Sequence, residues 1–194
     1  MARPKEFDPE LVLDRAMELF WEHGYEATSM ADLTERLGIG RASLYATFGD
    51  KRTIYRRALQ RYLESRDPSP IELLSQPGPV LPAVRTLVDL YVNEGLHDPL
   101  RRGCLVVNSA IELMPDDDAV CRIVEGSWNT LEITLTSALT RAQAQGEIAP
   151  DRDPRGLARF LLTLLQGLRV LGKGPADPGR LRDAADQALQ AIEG

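Results

Sequence analysis

Cysteine and histidine are scarce in this chain, and each scarcity excludes a class of chemistry. Two cysteines in 194 residues, Cys104 and Cys121, make no disulfide framework, so a reducing cytoplasm is the expected compartment. Two histidines, His23 and His97, leave little material for a catalytic base or a metal centre. His23 closes a predicted helix and His97 falls in a predicted loop after Gly95, where cap or surface roles suit them. No G-x-S-x-G, Walker loop, H-E-x-x-H or cysteine pair at metal-binding spacing occurs. Neither an enzyme nor a bound cofactor or metal is therefore expected. Long apolar runs are missing as well. The most apolar stretch, Phe160 to Leu171, is interrupted by Thr163, Gln166 and Arg169, and a membrane span needs about 20 apolar residues. The opening MARPKEFDPE has no apolar signal-peptide core, so neither export nor a membrane partner is expected. Strand-like alternation and internal repeats are absent; Leu105-Val106-Val107 is short and sits between helix-compatible flanks.

What is abundant is helical punctuation. Asp8-Pro9 reads as an N-cap followed by proline at the first helical position. Val12, Ala16, Leu19 and Phe20 then share one face, and Gly24 stops the helix. Ser29 and Asp32 form a capping box ahead of Met30, Leu33 and Leu37, with Gly38 as terminator. A short helix fits Arg41 to Phe48, and a fourth runs from Lys51 to about Glu64. Five prolines between Asp67 and Pro82 mark a connector, with a helical turn at Ile71–Leu74. Beyond it lie helical stretches at Ala83–Gly95, Gly103–Met114, Ala119–Gln145, Pro154–Gly172 and Pro178–Ile192. The expected fold is all-α, with one domain over residues 1–66 and a second over 67–194.

Charge separates the two parts. The net charge is −6, yet residues 1–66 balance 11 basic against 11 acidic groups. Between Arg41 and Arg66 seven basic residues face only Asp50 and Glu64. Helix, glycine turn and short helix make a helix-turn-helix, with Leu33, Leu37, Leu44 and Phe48 in the shared core. Arg41, Ala42, Ser43, Tyr45, Ala46 and Thr47 are left on or near the outer face. Small side chains let a helix backbone sit deep in a major groove, and arginine can pair bidentately with guanine. Hydroxyls on Thr28, Ser29, Ser43 and Tyr45 suit phosphate oxygens, as does Lys51 at the start of the next helix. The expected partner is double-stranded DNA.

The run TSMADLTERLGIGRASLYATFGDK, Thr28 to Lys51, resembles the DNA-binding signature of the tetracycline-repressor (TetR) family. The shared features are a hydroxyl-rich start to the second helix, Leu-Gly in the turn, Leu-Tyr-x-x-Phe, and the following lysine. The first-helix pattern Ala16…Leu19-Phe20…His23-Gly24-Tyr25…Thr28 and the acidic helical second part agree with it. The resemblance implies phosphate contacts at Thr28, Ser29, Tyr45, Thr47 and Lys51, and base contacts at Arg41, Ala42 and Tyr45. Gly40 stands where Ser or Thr is frequent, and Thr34 where Ala is usual. The resemblance further implies a helical ligand-binding and dimerisation domain, a homodimer on a palindromic operator, and release by a small-molecule effector.

In the second part, Tyr91, Asn108, Glu112, Trp128 and Gln166 are the polar groups expected to orient an effector in a mostly apolar pocket. Phe160, Leu161, Leu164, Leu168 and Leu189 lie on apolar helix faces near the C-terminus, where the family resemblance implies the dimer interface. Asp116-Asp117-Asp118, directly ahead of a helix, reads as an N-cap rather than a cation site. Cys104 follows Arg101, Arg102 and Gly103 at a helix start, a setting that favours thiolate. A thiol-based sensor of oxidants or electrophiles is therefore the alternative within the same fold. A helical enzyme or a purely structural adaptor is the alternative outside it.

Overall fold

The structure is a computed structural model and describes residues 7–175 and 177–193. Among the described residues ten helices follow in order: α1 (Pro9–His23), α2 (Met30–Leu37), α3 (Arg41–Phe48), α4 (Lys51–Glu64), α5 (Pro70–Leu74), α6 (Val80–His97), α7 (Leu105–Leu113), α8 (Asp118–Ala144), α9 (Pro154–Leu171) and α10 (Pro178–Glu193). No strand occurs among the described residues. The fold is all-α, as the punctuation indicates.

The chain divides into two compact units. The first takes the chain up to Arg66 together with Asn108–Val124, and the second takes Asp67–Val107 and Glu125 onward. Residues 67–194, expected as one domain, are divided between the two units, and Asn108–Val124 groups with the N-terminal helices. Polar side chains on this segment explain the difference. Ser109, Glu112 and Asp117 bond to Tyr55, to the turn after α1, and to Arg56. Such pairings across 54 to 87 residues leave no periodic trace in the sequence.

In the first unit, α1 lies against α4 and α2. Leu19, Phe20, Leu33, Leu37, Leu44, Phe48, Ile54 and Leu59 are buried between these helices and α3. Burying one such side chain stabilises the fold by about 1.5–3 kcal/mol. Phe20 and Tyr25 both meet the Tyr55 ring edge-on, at 4.9 and 5.1 Å between centroids. Asp8 caps α1 by accepting the Glu10 N–H, and Ser29 with Asp32 closes the predicted capping box on α2.

The second unit buries α5, α6, α9, α10 and the later part of α8 around Val84, Leu87, Leu135, Leu139, Leu161 and Leu165. Three of its helix ends differ from expectation. α6 begins at Val80 because the Glu147 carboxylate accepts the Val80 and Leu81 N–H groups at 2.9 Å, supplying the cap that Pro79 lacks. α6 also runs through Gly95 to His97. Gly95 is a packing residue rather than a stop: a methyl group on Gly172 would lie 2.7 Å from its Cα. α7 starts only at Leu105, since Gly103 has φ +66°, a left-handed conformation that a helix does not continue through.

Candidate DNA-binding surface

The turn between α2 and α3 is made by Gly38 in the left-handed conformation (φ 67°), its N–H donating to the Thr34 carbonyl. α3 then starts at Arg41 without a side-chain cap, as Gly40 dictates. Leu44 and Phe48 are buried, while Arg41, Ala42, Ser43, Tyr45 and Ala46 are exposed and Thr47 is half-buried. The outward face of this helix is thus small and polar, with one guanidinium and one phenol. These two lie together: the Arg41 Cζ is 5.6 Å from the Tyr45 ring centroid.

The residues flanking α3 divide into exposed and committed groups. Ser29 is exposed, with its hydroxyl oxygen accepting the Asp32 N–H at 3.1 Å. The Ser29 hydroxyl and the Ser29 N–H, which donates to Oδ2 at 2.7 Å, hold the Asp32 carboxyl below the usual carboxylate range. Thr28, expected at a phosphate, is 1% exposed, and its hydroxyl donates to the Gly24 carbonyl at 2.7 Å. Its side chain closes the α1–α2 turn and does not reach solvent. Lys51 is half-buried, with Nζ 4.1 Å from the Tyr25 ring centroid.

The basic run after α3 is largely spoken for within the unit. Arg52 and Arg56 converge on Asp117 at 3.2 and 3.3 Å, and Arg61 meets Asp14 at 2.7 Å. Arg57 lies over the Phe48 ring at 4.9 Å and donates to the Thr47 carbonyl. This charge cluster is therefore mainly internal wiring. Asp117 also caps α8 by accepting the Ala119 and Val120 N–H groups, the role predicted for the aspartate triplet. Burial alone would raise its pKa; the Val120 amide, Arg56 and the Ala119 amide outweigh burial and hold it below the usual carboxylate range.

The residues expected to line an effector pocket are not a set of free polar groups. Glu112 accepts the Tyr25 and Glu26 N–H groups at 3.0 and 2.8 Å, so its carboxylate is part of the first unit's framework. Tyr91 is fully buried beneath Arg169, whose Cζ stands 4.0 Å from the ring centroid. Asn108, Trp128 and Gln166 are half-buried.

Among the residues predicted at the dimer interface, Leu161, Leu168 and Leu189 are only 0%, 1% and 3% exposed and belong to the protomer's own core. Phe160 is 45% exposed and Leu164 is half-buried. The reason is that α9 has two apolar stripes. One is inward (Ala158, Leu161, Leu165, Leu168); the other runs through Phe160, Leu164, Gly167 and Leu171 at spacings of four, three and four.

Cys104 is 2% exposed and stands just ahead of α7. The cation at its sulfur is not a neighbouring arginine: Arg169 Nη1 donates to Sγ at 2.9 Å, and Nη2 donates to Glu94 at 2.9 Å. Arg102 is held by Asp98. Sequence spacing gives no sign of Arg169, 65 residues away.

Comparison with known proteins decides the family. Residues 12–58 match the model for bacterial regulatory proteins of the tetR family, and residues 80–188 match a tetracyclin repressor-like C-terminal domain. The chain belongs to the TetR family. It is a DNA-binding transcriptional regulator and not an enzyme. The Bacillus subtilis HTH-type transcriptional regulator YezE is 42% identical over 195 residues, covering all of both chains. The Escherichia coli HTH-type transcriptional repressor ComR is 34% identical over 97% of this chain and 90% of its own. A cysteine-substituted form of the TetR regulator CifR, solved with a 26-bp operator duplex, superposes with TM-score 0.87 at 34% identity, covering 98% of this chain and 100% of that one. No helix among the described residues of this TetR protein is long and apolar enough to cross a membrane.

Proposed function

We propose that the protein is a cytoplasmic homodimeric repressor that binds a palindromic operator through α3 and releases it on binding a small-molecule effector. The outward face of α3 carries this reading. A helix exposing Arg41, Ala42, Ser43, Tyr45 and Ala46 has the slimness to enter a major groove and one side chain suited to guanine. Ser29 and Lys51 flank it as candidate phosphate contacts, with Thr47 beside them. Relatives named as repressors and a neighbour solved with operator DNA support the same reading. The outer stripe, with Phe160, Gly167 and Leu171 exposed and Leu164 half-buried, is the dimer face, an apolar helix surface with the spacing of a helix–helix seam. The effector site belongs to the second unit, with Trp128 and Gln166 as its candidate orienting groups.

Footprinting on a duplex selected by the protein from a random library tests this. Two protected half-sites separated by one helical turn, about 34–36 Å or a multiple, are expected. Arg41→Ala should relax preference at one base pair per half-site and weaken binding by about 1–3 kcal/mol. A single protected half-site, or unaltered preference in the variant, contradicts the proposal.

A second reading rests on one contact, the Arg169 guanidinium 2.9 Å from the Cys104 sulfur. The guanidinium N–H orients the sulfur, and a cysteine sulfur can take up a soft electrophile by forming a carbon–sulfur bond. In this reading the effector is covalent. Operator release by an α,β-unsaturated aldehyde that persists in Cys104→Ser rules it out.

A further inference from the structure

The reading of Lys51 as a phosphate contact raises the question of what holds its side chain in place. Its ammonium sits over Tyr25, and Tyr25 belongs to the turn between α1 and α2. That turn is gripped by a single carboxylate. Glu112 Oε2 accepts the Tyr25 N–H at 3.0 Å and Oε1 accepts the Glu26 N–H at 2.8 Å. Hydrogen bonds from backbone amides to an ionised acceptor are stronger than neutral ones, and two to one group fix orientation as well as distance. Gly24 makes the approach possible: a methyl group there would meet both Glu112 oxygens at 3.2 Å, on a backbone with φ +85°. The Thr28 hydroxyl donates to the Gly24 carbonyl in the same turn.

α7 holds the Tyr25 ring by a second route. Tyr25 meets Tyr55 edge-on at 5.1 Å, and the Tyr55 hydroxyl bonds to Ser109 Oγ at 2.8 Å. Ser109 and Glu112 are three residues apart and share one side of α7. Burial pushes the Tyr55 pKa up to about 12, so the phenol keeps its proton at neutral pH. Backbone and ring of Tyr25 are thus both fixed from α7, and the ring in turn carries the Lys51 cation.

We infer that Glu112 is a positioning residue for DNA binding: through the Tyr25–Glu26 turn it seats the Lys51 ammonium. It touches no DNA in this scheme, and its effect on binding passes through Lys51. This rests on the phosphate reading of Lys51, and the experiment separates the two.

The test uses the full-length protein and the library-selected duplex, with Glu112→Gln, Lys51→Ala and the double variant. Gln keeps the volume but replaces one acceptor oxygen with a donor, so it cannot accept both N–H groups. Binding is measured over a salt series. Lys51→Ala should lower the slope of log K against log salt by about 0.9 per half-site. Glu112→Gln should lower it equally, and the double variant should fall no further than either single one. Losses that add overturn the inference, because an effect on general stability has no reason to vanish when Lys51 is gone. Tyr25→Leu should reproduce the slope loss without touching Glu112. NMR of the DNA-free protein decides positioning separately. The Lys51 ε-methylene protons should show an upfield ring-current shift that Glu112→Gln removes. An unchanged slope in Lys51→Ala sinks the phosphate reading alone; an unchanged Lys51 shift in Glu112→Gln sinks the positioning role.

Discussion

α3 and α9 each bury one apolar face and expose another, but they expose opposite chemistries. α3 turns Leu44 and Phe48 inward and shows small, hydroxylated and cationic groups outward. α9 turns Ala158, Leu161, Leu165 and Leu168 inward and shows Phe160, Val170 and Leu171, each nearly half exposed, outward. The inward faces obey the same packing rule and say nothing about partners. In the proposed function the outward faces differ because their partners differ: a polar groove lined by phosphates for α3, an apolar surface for α9. An unpaired apolar stripe suits a second protein surface, since it gains by leaving water. An exposed row of small polar groups gains nothing by burial and has to recognise its partner by hydrogen bonds.

The largest expected effect breaks the comparison within α9 itself. Leu161→Ala removes a side chain with no exposed area, and should cost about 2–5 kcal/mol of stability, read by chemical denaturation. Leu164→Glu, on the other stripe, should leave the protomer folded and convert dimer to monomer in sedimentation. If Leu164→Glu remains dimeric, or Leu161→Ala costs less than about 1 kcal/mol, the division of the two stripes fails.

A smaller effect separates the cations of α4 from the cation of α3. Asp117→Asn leaves the cap on α8 but removes the charge facing Arg52 and Arg56, and should cost about 1–3 kcal/mol because both arginines are partly solvated. Asp117 has a lowered folded-state pKa. Its stabilisation is therefore complete above the unfolded carboxyl value of about 3.9 and is lost as pH falls through the lower folded-state value. Wild type should destabilise more steeply than Asp117→Asn across that acidic window in thermal denaturation at stepped pH. Parallel curves would contradict the pairing. Arg41, exposed on α3, should contribute nothing to this difference.

These contrasts also mark how far the sequence could be read. α3 was legible in full: Gly40 and Gly49 bound it, the Leu44/Phe48 pair fixes its buried face, and what remains is the surface. α9 was legible as a helix but not by face, because both its stripes are apolar and a 3.6-residue period cannot say which one meets a partner. Gly95 read as a stop because glycine signals both termination and close packing, and only the approach of Gly172 distinguishes them. Basic residues after α3 look uncompensated in the sequence because their carboxylate partners, Asp14 and Asp117, lie far off in the chain. Glu112 and Arg169 were out of reach for the same reason: each acts on groups more than 60 residues away.

The finest contrast is between two adjacent hydroxyls. Thr28 and Ser29 both read as phosphate donors, but Thr28 is buried and Ser29 is exposed. Thr28→Val keeps the shape and removes the hydrogen bond to the Gly24 carbonyl, leaving that acceptor with one donor fewer. The loss should be about 1 kcal/mol of stability, the usual net value of one such bond. Operator affinity for the folded protein should change little, since the deleted hydroxyl faces away from solvent. Ser29→Ala also loses a cap, worth about 1 kcal/mol, but it removes an exposed hydroxyl beside α3 as well. Its operator affinity should therefore fall at constant salt slope, because a neutral hydroxyl displaces no counterion. Denaturation and anisotropy titrations on the two variants read these outcomes side by side. Equal losses of affinity would mean that the turn, rather than the exposed hydroxyl, is what DNA binding senses at this position.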